Sequence, residues 1–146
     1  MWTLAEDVLN AAKRLGVVAS ALTPEQSAVV HRDIVQRYGG SKHDWPLWDG
    51  PTEYPAIQDP AAWRLIADFV HDEPCLLLWD PSTERRILRI ERGQELIRVL
   101  DEVHRSEFYV TDPALSFMLC FNHHDFLIAG GRAATWLEAR RSRQLL

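Results

Sequence analysis

Residues 107–131, EFYVTDPALSFMLCFNHHDFLIAGG, constrain the fold more than any other stretch of the chain. Three apolar runs lie in it: Phe108-Tyr109-Val110, then Phe117-Met118-Leu119-Cys120-Phe121, then Phe126-Leu127-Ile128-Ala129. Asp112-Pro113 separates the first two, and Asn122-His123-His124-Asp125 separates the last two. Short runs of aromatic and branched residues bounded by turn formers read as strands. The second and third runs are apolar at successive positions, so neither has a water-facing side, which suits central strands covered on both faces. These three strands are expected to form the middle of an antiparallel sheet.

The flanking sequence supplies what covers it. Thr3 with Glu6 forms a capping box ahead of Leu4, Val8, Leu9, Ala12 and Leu15 at helical spacing, and Gly16 ends that helix. Thr23-Pro24-Glu25-Gln26 starts a second helix with Val30, Ile34 and Val35 inward, closed by Gly39-Gly40 as a left-handed cap. These two helices are expected to pack as an antiparallel pair. Residues 39–58 show no period and are read as an ordered surface loop carrying Trp45, Leu47, Trp48 and Tyr54. Asp59-Pro60 opens a third helix as N-cap and first helical residue, and Pro74 stops it. Strands are expected over 75–79 and 86–90, a helix over 94–104, and a last helix over 132–144. The expected class is therefore α+β, with an antiparallel sheet of about five strands and helices packed around it, in the order α-α-loop-α-β-β-α-β-β-β-α.

At 146 residues and 47% hydrophobic, residues 1–146 read as a single globular domain with its own core. Six tryptophans and a charged fraction of 25% exclude a disordered chain. No apolar run is long enough to cross a bilayer and no basic leader is visible, so a cytoplasmic protein without a membrane role is expected. Cys75 and Cys120 sit in apolar runs and read as buried free thiols. The net charge of −5 is local in origin: residues 44–73 carry Asp44, Asp49, Glu53, Asp59, Asp68, Asp72 and Glu73 against Arg64 alone. Such a segment repels nucleic acid and favours a cationic partner.

No catalytic signature emerges. His123, His124 and Asp125 could bind a metal or act as a base, but adjacent side chains at a hairpin tip are expected to diverge, and no H-E-x-x-H or C-x-x-C spacing supports them. Asn122 and Asp125 otherwise serve as turn formers. Cys120 lies in an apolar run, which argues against a nucleophile. Gly130-Gly131 reads as a tight strand-to-helix turn rather than an anion site. The expectation is no cofactor, no metal and no reaction.

The loop is the stronger candidate. Tryptophan and tyrosine ringed by charge are the residue types of interface anchors. Asp44, Trp45, Trp48, Asp49, Glu53, Tyr54 and Asp59 are accordingly the expected partner-binding residues. The competing reading turns both tryptophans inward to pin the loop on the core.

The run from Phe121 to Gly131, Phe-Asn-His-His-Asp-Phe-Leu-Ile-Ala-Gly-Gly, resembles a segment of small bacterial α+β proteins found among the immunity proteins of toxin systems. The resemblance is confined to this part of the chain and does not touch the acidic loop. It implies a stoichiometric inhibitor that neutralises a co-produced toxin, by steric occlusion. Separately, the same aromatics could serve self-association, so a monomer or homodimer is expected. The acidic segment implies that such a toxin is basic.

Overall fold

Every strand of the central sheet runs antiparallel to its neighbours, and the two outermost are three residues each. The computed structural model describes residues 2–40, 44–48 and 52–144. In chain order the elements are α1 (Leu4–Leu15), β1 (Ala19–Ala21), α2 (Pro24–Tyr38), β2 (Ala56–Gln58), α3 (Ile66–Val70), β3 (Cys75–Leu78), β4 (Leu88–Ile90), α4 (Leu96–Asp101), β5 (Phe108–Thr111), β6 (Phe117–Phe121), β7 (Phe126–Gly131) and α5 (Arg132–Gln144). Single 3-10 turns, Ala62–Leu65 and Gly93–Glu95, lead into α3 and α4. The sheet has seven strands in the order β1-β4-β3-β5-β6-β7-β2.

The α+β class stands, while the strand count and element order are corrected from five to seven. The two missed strands are β1 and β2, three residues each, one at either edge. Neither carries an apolar run, because an edge strand is half solvated and is held by its ladder rather than by burial. β2 lies inside what the sequence presents as loop. The central reading holds for β5 and β6, which are buried at every position, while β7 lies beside the edge strand β2 and is buried only over Leu127–Gly130.

Helix starts follow the local chemistry. The capping boxes of Thr3 with Glu6 and of Thr23 with Gln26 both form, and Gly16 closes α1 in the left-handed region at φ 72°. At the end of α2 it is Gly40, at φ 58°, that turns left-handed, while Gly39 stays right-handed. Asp59 accepts from the Ala61 amide at 2.7 Å, yet the helix proper begins only at Ile66.

The expected α1–α2 pair does not form. Ala5, Val8, Ala11 and Ala12 of α1 pack on one face of the sheet with α3, α4 and α5, against Leu77, Val110, Phe117 and Leu119. Ile34, Val35 and Tyr38 of α2 pack on the other, against Leu78, Tyr109, Met118 and Ile128. The chain passes from one face to the other through β1. A sheet apolar on both sides needs two covers, and splitting the first two helices provides them.

One buried carboxylate locks α1 to the β3–β4 connection. Glu84 accepts from the Ala5 amide at 2.9 Å and from the Arg86 amide at 3.2 Å. Burial alone would raise its pKa, but these amides and the Arg86 guanidinium outweigh it and hold the group below its ordinary value.

Candidate functional site

Residues 44–48 and 52–54 join α2 in covering the second face of the sheet. Asp44 accepts from the Trp45 amide at 2.8 Å, and a cis Trp45-Pro46 peptide follows. The half-buried Trp45 ring stands edge-on to His31 at 5.5 Å and to Tyr109 at 5.0 Å. The Leu47 amide donates to the Tyr109 hydroxyl at 3.3 Å. Trp48 is only 3% exposed, tilted against Tyr54 at 4.7 Å and edge-on to Tyr38 at 6.4 Å.

Gly130 makes room for this cluster. A Cβ there would lie 3.1 Å from Trp48, 3.2 Å from Tyr54 and 3.3 Å from Tyr38. The neighbouring Gly131 serves the turn, at φ 62° with the Arg132 amide already donating to Ser116 O. The first glycine of the pair is thus a packing residue, which its sequence context did not disclose.

Of the seven expected partner-binding residues, Asp44, Glu53 and Asp59 are exposed, Trp45 and Tyr54 are half-buried, and Trp48 is buried. Asp49 lies outside the described residues. Trp48 turns inward because indole is largely apolar and the flat patch at Gly130 accommodates it. The carboxylates divide by pairing. Asp68 lies 3.1 Å from Arg140 and Asp72 lies 3.0 Å from Arg92. Among the described residues Asp44, Glu53 and Asp59 have no ion-pair partner within 4.0 Å.

The hairpin tip of β6 and β7 adjoins the loop. Asn122 Oδ1 accepts from the His124 and Phe126 amides at 3.0 and 3.1 Å, which is the turn-forming role expected of it. Its Nδ2 donates to the Trp48 carbonyl at 3.3 Å. Gln58 donates to the His124 carbonyl at 3.3 Å, and the Asp59 amide to the Asp125 carbonyl at 2.9 Å. The two regions that the sequence offers as rival sites are therefore one continuous surface.

At the tip, the expectation of diverging imidazoles fails: the His123 and His124 ring centroids are 3.9 Å apart. His123 Nδ1 sits 2.8 Å from Glu107 Oε2, and the Tyr109 hydroxyl donates to Glu107 Oε1 at 3.4 Å. Glu107 was not singled out from the sequence. It lies just ahead of β5, sixteen residues from His123, and only the β5–β6 register brings them together. Burial pushes the Tyr109 hydroxyl far above its ordinary pKa, so it stays a neutral donor.

Among the described residues no group of three or more His, Cys, Asp or Glu could hold a metal ion. Cys75 and Cys120 are both buried, and burial raises the Cys75 thiol to about 12, where it is inert as a nucleophile. No described helix is long and apolar enough to cross a membrane. No family model, no curated protein and no solved structure matches this chain at a significant level.

Proposed function

We propose that this chain is a binding protein of the immunity type, which neutralises a basic toxin by occupying it with the surface built from the 44–59 segment and the adjoining hairpin tip. One observation carries the reading. Among the described residues the exposed carboxylates of Asp44, Glu53 and Asp59 have no ion-pair partner, whereas Asp68 and Asp72 of the same acidic segment are paired with Arg140 and Arg92. Uncompensated charge of one sign steers a partner of the other sign and sets the orientation of docking. The half-exposed rings of Trp45 and Tyr54 lie beside these carboxylates as anchors. Trp48 acts from behind, by holding the loop in place.

The test is co-expression with the product of the gene beside its own, scored by growth of a cell which that product kills. The wild type restores growth. The triple reversal D44K/E53K/D59K gives up the caps on the Trp45 and Ala61 amides, at about 1 kcal/mol each, and loses that protection while circular dichroism shows the chain still folded. It loses more than any change at His123 or His124. Failure of the wild type to protect ends the reading, and undiminished protection by the reversal moves the interface elsewhere.

A second reading is favoured by the His123–Glu107 pair. A carboxylate orienting an imidazole that is 55% exposed is the arrangement of a general base, in an enzyme or ligand-binding domain using His123, His124 and Asp125. Metal analysis of the purified protein and the variants His123→Ala and His124→Ala test it. Full function of both variants and no bound metal remove it.

A further inference from the structure

The sheet has two edges, and they are finished differently. β2 is bracketed by Pro55 ahead of it and by Asp59-Pro60 behind, and α5 packs beside it. Proline and charge are the usual devices that stop a sheet edge from recruiting another strand. β1 has neither. The segment 16–22, Gly-Val-Val-Ala-Ser-Ala-Leu, holds no charge and no proline. Val18, immediately before the strand, is 67% exposed, and Val29, in the second turn of α2, is 44% exposed. Together with Trp2 these are the exposed large apolar side chains among the described residues.

The register fixes which backbone groups face out. Ser20 pairs with Arg89, the Glu91 amide donates to Val18 O at 3.1 Å, and the Leu22 amide donates to Ile87 O at 2.9 Å. In an antiparallel ladder the hydrogen-bonded residues alternate, so Val18, Ser20 and Leu22 point their backbone groups at β4. The amides and carbonyls of Ala19 and Ala21 therefore point away from the sheet.

We infer that β1 is the contact strand of a homodimer, pairing antiparallel with β1 of a second copy about a two-fold axis through Ser20. That axis sets Ala19 of one copy opposite Ala21 of the other, and each such pair exchanges both of its hydrogen bonds. The side chains facing one another are alanine and serine, so neither bulk nor like charge opposes the approach, in a molecule whose net charge of −5 otherwise repels its own copies. Val18 of each copy meets Leu22 of the other. β1 and β2 lie at opposite ends of the strand order, so pairing leaves the acidic surface open.

Sedimentation equilibrium of the full chain over a wide concentration range tests this, with two variants at exposed positions. Val18→Lys places a charge beside the seam, and Ala21→Pro removes an outward donor, which an edge strand tolerates. The wild type is expected to be a dimer, and each variant to weaken association by about ten-fold or more while unfolding at nearly the wild-type temperature. A wild type that stays monomeric overturns the inference, as does a dimer that survives both substitutions.

Discussion

One face of the sheet is roofed by α1, α3, α4 and α5, whose apolar residues interlock with Leu77, Val110, Phe117 and Leu119. The other is roofed by α2 and by a loop that contributes Trp45, Leu47, Trp48 and Tyr54. Helices cover a surface through a repeating stripe whose backbone bonds are satisfied internally. A loop has no such repeat. It covers through a few large rings and through side chains that cap its backbone, such as Asp44 on Trp45 and Asn122 on Trp48. The helical face gains strength from many small contacts, while the loop face concentrates it in few residues and carries exposed carboxylates on its outer rim.

That contrast can be broken most sharply at Trp48. Trp48→Ala removes the central ring of the loop face, and we expect a loss of about 4 kcal/mol in urea unfolding. A loss below about 1 kcal/mol, the scale of an ordinary surface change, would show that the loop is an ornament on a face already covered. Gly130→Ala attacks the same packing from below. Its methyl group would press on three rings at 3.1–3.3 Å, and a loss of about 2 kcal/mol is expected.

Acid separates the two faces. Glu84 locks the helical face, and its folded pKa lies below the ordinary carboxylate value of 4.5. Its contribution is thus complete above that value and disappears as pH falls through the folded pKa. Glu84→Gln should lower stability at neutral pH by about 2 kcal/mol and flatten the pH dependence of Tm below 4.5. His31 lies under Trp45 on the loop face, 3.3 Å from the Trp79 carbonyl, and burial lowers its pKa from 6.5 despite the raising effects of that carbonyl, of Ser27 and of Asp80. The folded state then binds fewer protons than the unfolded one, so stability falls as pH drops below 6.5. A smaller decline in Tm between pH 7.5 and 5.5 is expected in His31→Gln than in the wild type. Equal declines would detach the loop face from His31.

Much of the helical face and the sheet centre was legible in sequence. Both capping boxes, the doubly buried β6 and the start of α5 at Arg132 follow from local chemistry that tertiary packing does not overrule. What escaped depends on register. β1 and β2, at three residues each, are too short to announce themselves, and the chain crosses at β1 from the face of α1 to that of α2. At the candidate site, Asp44, Glu53 and Asp59 lie exposed in a stretch that the sequence places on the surface, but the direction in which Trp48 points was open. It is decided by Gly130, eighty-two residues further on, and no local pattern carries that information. Glu107 escaped for the same reason.

Asn122 belongs to two structures at once. Its oxygen holds the hairpin turn and its nitrogen holds the loop at Trp48, so neither can shift without straining the other. A pull on the histidine tip reaches the aromatic cover by two routes, this amide at Trp48 and the Glu107–Tyr109 pair at Leu47, so the exposed turn and the buried rings move together.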